Sequence, residues 1–268
     1  MKNSKSVVFS LLILLLFLSQ CNTVPITGRR QLSLVSDSEM LTMSFQQYGD
    51  FVKSHKLSTS VQQTEMVKRV GSRVQRAVEQ YCAQNKLSGI LGGYSWEFNL
   101  VEDPQVNAWC MPGGKVVVYS GILPVTQDES GLAVVLGHEI AHAVAKHGDE
   151  RMSQGLLEQL GGVALSEAIK SKPAVTQQIY KTAFGLGAQV GVMLPFSRTQ
   201  ESEADHLGII FMSMAGYNPN VAVTFWQRMA ASNKGAAPLE FLSDHPSDAK
   251  RINEIKSQIP EAMKYFKK

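Results

Sequence analysis

The stretch 127–146, QDESGLAVVLGHEIAHAVAK, decides how this chain is read. Leu132, Val135, Leu136 and Ile140 recur at helical spacing, and Asp128 and Glu129 stand at the start, where carboxylates suit the positive end of a helix dipole. A helix over 127–146 is expected. Inside it, His138-Glu139-Ile140-Ala141-His142 sets two imidazoles one turn apart on a single face. Both can reach one metal ion while Glu139 projects alongside, towards a water.

Two ligands do not complete a catalytic zinc site, which takes three from the protein and keeps one position open. In one kind of site a third His stands ten residues after the first, but that position is Gly148 and the nearby His147 is one place off. His147 reads as an ordinary helix-end His near a C-terminal dipole. A carboxylate on a second helix is the alternative, and residues 201–208, ESEADHLG, offer it. Glu201 and Asp205 share a face, whereas Glu203 is turned away by its i+2 spacing. The phase puts Glu201 on the metal and Asp205 beside it.

Working outward, Ser36 and Glu39 make a capping box for a helix through Met40, Phe45 and Tyr48. Residues 61–84 set Val67, Val70, Val74, Ala77, Val78 and Tyr81 against Lys68, Arg69, Arg73, Arg76 and Glu79, the pattern of an amphipathic helix. Residues 94–101 alternate as a half-buried strand does, and 115–119 form a β-branched run between glycines, which implies a small sheet. The uncharged segment 182–197 is too short and too glycine-rich for a membrane span, so it reads as a buried helix or a lid beside the site. Helical pattern resumes from Arg198 to Met214, is stopped by Gly216 and Pro219, and returns through Trp226 and after Pro246.

With 268 residues, 44% of them hydrophobic and a formal charge of +3 spread along the chain, the sequence describes a globular body and excludes a phosphate-neutralising basic face. Nucleic acid is not expected as a partner. Lys2 and Lys5 before the apolar run 7–18, closed by Ser19, Gln20 and Cys21, form a secretory signal pattern. Residues 18–21, LSQC, resemble a bacterial lipobox, although Gln20 replaces the usual small residue. The expected organisation is a lipoprotein-type signal at 1–20, an extended lead-in at 21–34 and one domain at 35–268, tethered to a membrane by lipid on Cys21. Cys82 and Cys110 then remain, and both a disulfide and two buried thiols fit the sequence.

HEIAH followed by RTQESEADHLG resembles the M48 family of zinc metallopeptidases, whose second motif sets a Glu four residues before an Asp. Asn107-Ala108-Trp109, Pro112-Gly113-Gly114 and the run 116–121 are similar to the family's strand that borders the cleft and pairs with substrate backbone. Asp244-His245-Pro246 and Arg251-Ile252 are similar to its closing motif. The resemblance implies a mostly helical α+β zincin-like fold with a small sheet, and one zinc held by His138, His142 and Glu201. It implies Glu139 as general base and Asp205 as proton donor or transition-state group, with the orienting of a ligand His as the other reading of Asp205. His245 stands where some relatives use a His to cap the metal, with a surface His before a turn-forming Pro as the other reading, and Arg198 either pairs with Asp205 or a substrate carbonyl or is a solvated or structural charge. The implied role is quality control of misfolded polypeptides on the periplasmic side of a bacterial envelope. A zinc-stabilised chaperone or binding module with an idle protease site is the alternative.

Overall fold

The computed structural model describes residues 21–24, 26–184, 197–232, 241–242, 245 and 249–267, with the side chains of Cys21 and Asn22 left out. The expected signal at 1–20, most of the uncharged segment, and Asp244 and Pro246 lie outside these residues.

The first described element is a hairpin, β1 (Cys21–Thr23) antiparallel to β2 (Arg30–Leu32), in the region expected as an extended lead-in. Its loop closes through Val24 N–H to the Arg29 carbonyl at 2.7 Å, with Gly28 at φ +74°, a conformation that favours glycine. Helix α1 (Asp37–Ser54) starts with the expected capping box: Ser36 Oγ accepts from the Glu39 amide and Glu39 accepts from the Ser36 amide. Helix α2 occupies the predicted 61–84 and buries Val67, Val70, Val74, Ala77 and Val78.

Three strands form the second sheet: β3 (Glu97–Val101), β4 (Ala108–Met111) and β5 (Lys115–Tyr119), in the order β3-β5-β4. The β3–β5 pair is parallel, β4–β5 antiparallel, and among the described residues β4 is an edge strand. Alternation sorts the side chains to two cores. Val116, Val118, Ala108 and Cys110 pack with α2 and with helices α3 (Glu129–Val144), α7 (Arg198–Met214), α8 (Val221–Ser232) and α9 (Ala249–Ala262). Val117, Tyr119, Trp109 and Met111 join α1 and helices α4 (His147–Leu160), α5 (Leu165–Ser171) and α6 (Pro173–Ala183) on the other face. The fold is thus α+β and mainly helical, as expected. Cys82 and Cys110 are buried and unbridged, so of the two readings of that pair the thiols hold. Among the described residues no helix is long and apolar enough to cross a membrane.

The crossing of α3 and α7 positions the site. A Cβ at Gly208 would lie 2.9 Å from the His138 amide nitrogen, and one at Gly137 would lie 2.6 Å from the Gly208 carbonyl oxygen. Only paired glycines let the two backbones meet there, which outweighs the roughly 1 kcal/mol each forfeits to alanine inside a helix. Gly208→Ala is therefore expected to lower stability by about 1–3 kcal/mol through overpacking. Thermal unfolding checks this, and an unchanged midpoint would show that the helices have room to spare.

Candidate metal centre

Four buried donors converge where α3 and α7 cross: His138, His142, Glu201 and His245, with their ligand atoms all within 4.8 Å of one another. The imidazoles of α3 face inward because i and i+4 share a face, and Glu201 comes from the first turn of α7, capped by Ser197. His138 Nε2 lies 3.1 Å from His142 Nε2 and 3.1 Å from His245 Nδ1. Glu201 Oε1 lies 2.8 Å from His245 Nδ1 and 3.2 Å from His142 Nε2. An ion with tetrahedral bonds of about 2.0–2.1 Å spaces its ligands about 3.3 Å apart, so the donor set fits such an ion. Burial pushes the His138 imidazole below its ordinary range and His142 well below it, which leaves both neutral with lone pairs to give. Burial opposes ionisation of Glu201, but its neighbours, His245 and Arg251 foremost, hold it well below the usual carboxylate range.

The pattern that defines peptidase family M48 matches residues 68–259, which contain all four donors. The chain belongs to that family. The mitochondrial metalloendopeptidase OMA1 of Schizosaccharomyces pombe is 35% identical over 242 residues, covering 89% of this chain and 66% of that protein. The human mitochondrial metalloendopeptidase OMA1 is 28% identical over 264 residues, 96% of this chain and 49% of that protein. The β-barrel assembly-enhancing protease of Yersinia pestis is 32% identical over 167 residues, 61% of this chain and 34% of that protein. The chain thus spans from about a third to two thirds of the length of these M48 relatives.

Around the M48 donors, Asp205 Oδ1 lies 3.0 Å from His138 Nδ1, the nitrogen turned away from the cluster. Its carboxylate is gripped by Arg251, with Nε to Oδ2 and Nη2 to Oδ1 both at 2.8 Å. Burial would raise the Asp205 pKa, yet the Arg251 charge and the His138 contact keep it below the ordinary value. Arg251 also reaches Glu201 Oε2 at 2.7 Å and stacks 3.5 Å over the Trp226 ring. The sequence reading placed Arg251 in the closing motif without giving it a role. One Arg among the exposed lysines of an amphipathic helix looks like a solvated charge, and only the packing of α9 against α7 takes it inside. Arg198 stands exposed on the first turn of α7, outside the four-donor cluster.

His147 differs from its sequence reading, and Glu203 has partners beyond what its reading described. His147 is fully buried, because α3 ends at Val144 and Lys146, at φ +57°, reverses the chain into α4. Its Nδ1 lies 2.8 Å from His142 Nδ1 and its Nε2 3.1 Å from Glu203 Oε2. Glu203 is off the cluster face, as its phase requires, but it is engaged all the same. Burial opposes its ionisation, while hydrogen bonds from His147, Thr27 and Arg29 hold its pKa down at about 2.

A cleft opens over Glu139, lined by Ala108, Trp109 and Cys110 of the edge strand β4 together with His142, Phe184 and His245. Its enclosed volume is about 30 Å³, room for a water or two. His245 Nε2 lies 3.5 Å from Glu139 Oε1, so this imidazole stands between the donor cluster and the glutamate.

Proposed function

We propose that this chain is a zinc endopeptidase, with His138, His142 and Glu201 as ligands and Glu139 as general base. The observation that carries the reading is the buried set of donors spaced for a tetrahedral ion, with Glu139 beside it on a cleft bordered by an edge strand. A bound zinc would polarise the scissile carbonyl and make an attacking water more acidic. Glu139 takes the proton of that water and hands it to the leaving amine. Asp205 orients His138: a carboxylate held ionised by a two-pronged Arg251 has no proton to donate, which favours this reading over the acid. The open side of β4 is suited to pairing with an extended polypeptide. Arg198, on the rim of α7, remains a candidate for a substrate carbonyl.

Substrates are proposed to be misfolded polypeptides of a bacterial cell envelope, met by a protein held on the periplasmic side by lipid at Cys21. The signal pattern before Cys21 and the Yersinia relative, named for β-barrel assembly, support that location. The second reading, a zinc-stabilised binding module, draws support from the small cleft and from His245 at the fourth corner. Metal analysis of the purified chain tests the site itself. One zinc per chain is expected, with comparable loss in His138→Ala and Glu201→Gln, since each removes one of three protein ligands. Stoichiometric zinc in Glu201→Gln would remove that residue from the ligand set.

A further inference from the structure

The donor set explains where a metal sits but not how His142 comes to offer the right nitrogen. A neutral imidazole carries one proton, and the hydrogen bond on its far side decides which nitrogen keeps the lone pair. Ligand histidines usually give that far N–H to a carboxylate or a carbonyl. Here the far side of His142 meets another imidazole, Nδ1 to Nδ1 at 2.8 Å. One of the two nitrogens must hold the proton and the other must accept it. His147 in turn presents Nε2 to Glu203 Oε2 at 3.1 Å. A carboxylate only accepts, so His147 carries its proton on Nε2 and has a lone pair on Nδ1. His142 must then donate from Nδ1, which leaves its Nε2 lone pair facing the cluster.

The end of this chain is fixed by the hairpin ahead of the helical body. Arg29, on the loop between β1 and β2, donates from Nε to Glu203 Oε2 at 2.5 Å and forks onto Glu150 of α4 at 2.8 and 3.2 Å. Gln200 of α7 donates to the same Glu150 at 2.9 Å. One guanidinium therefore spans the two helices that supply His147 and Glu203, and Val24, buried in the main core, anchors its loop.

We propose that Glu203 and Arg29 are positioning residues for the metal site, acting through His147 to set which nitrogen His142 offers. The proposal rests on reading the four-donor cluster as a zinc site. Without an acceptor at position 203, His147 is free to turn an N–H toward His142, whose proton is then driven onto the nitrogen the metal needs. Without Arg29, Glu203 loses the cation that aims it, and the hairpin ceases to support the site.

The test uses the full-length chain, stripped with a chelator and refilled with zinc in competition with a chromophoric chelator. Glu203→Met is expected to weaken zinc binding by about 10- to 100-fold, the usual cost of losing such a support. Arg29→Met should weaken it by a smaller factor, while Glu203→Gln and Arg29→Lys recover part of the loss, since an amide oxygen still accepts and an ammonium still pairs. Melting with and without zinc separates positioning from scaffolding. Weaker binding shrinks the rise in midpoint that zinc confers, whereas a scaffolding role lowers both midpoints equally and leaves affinity alone. Should Glu203→Met not fold, Arg29→Met decides. Wild-type affinity in a folded Arg29→Met or Glu203→Met protein overturns the relay alone, and a wild-type chain that takes up no zinc overturns the metal site and the relay together.

Discussion

Glu139→Gln is expected to lower hydrolysis of an unfolded polypeptide such as casein by about a hundred- to ten-thousand-fold, the span general base catalysis commonly supplies. Zinc content and melting temperature should stay near those of the parent. The substitution exchanges one carboxylate oxygen for an amide nitrogen of almost the same size, so packing inside the buried helix α3 is disturbed little. What it removes is basicity at the wall of the cleft. Glu139 is not among the four clustered donors, which is why metal retention should be spared. The same variant separates the two functional readings. A binding module would still hold unfolded protein after the exchange, and a peptidase would not cleave it. Undiminished hydrolysis in a folded, zinc-loaded Glu139→Gln protein would remove Glu139 from the reaction.

The parts of the site that the sequence revealed are those written within one helix. His138 and His142 are spaced by a helical turn, and Glu201 was separated from Glu203 by phase alone. Boundaries were legible where caps and glycines mark them: the Ser36–Glu39 capping box opens α1, and Gly216 follows the α7 helix predicted from Arg198 to Met214. Strand β4 was found only by family likeness. Its four residues AWCM are buried on both faces, so there is no alternation to read. The supports of the site were not legible either. Arg29 meets Glu203 across 174 residues and Arg251 meets Asp205 across 46, and neither pairing leaves a local trace. His147 was misread for a related reason. A chain reversal at Lys146 turns a helix end into the start of another helix, and the left-handed position itself is held by a lysine and not a glycine.

His245→Ala is expected to raise hydrolysis of unfolded polypeptide several-fold while one zinc stays bound. In the structure His245 Nδ1 closes the donor set, 3.1 Å from His138 Nε2 and 2.8 Å from Glu201 Oε1. A catalytic zinc needs that corner for water, and a neutral imidazole is the stronger ligand of the two. The other ring nitrogen lies 3.5 Å from Glu139, so the imidazole fills the space where an attacking water would meet its base. Phe241 holds the ring in place: its carbonyl accepts from the His245 amide at 2.9 Å, and its side chain is fully buried against Trp226. Opening therefore requires His245 to leave its place beside Phe241, a motion that can limit turnover by itself. Alanine removes the fourth donor without touching the three others, so metal should be kept and the corner freed. Self-cleavage is a further expected sign. The competing roles of His245 forecast otherwise: a substrate or oxyanion contact lowers hydrolysis when deleted, and a packing residue lowers the melting temperature with no gain in rate. Unchanged or reduced hydrolysis by a folded, zinc-loaded His245→Ala protein excludes the latch.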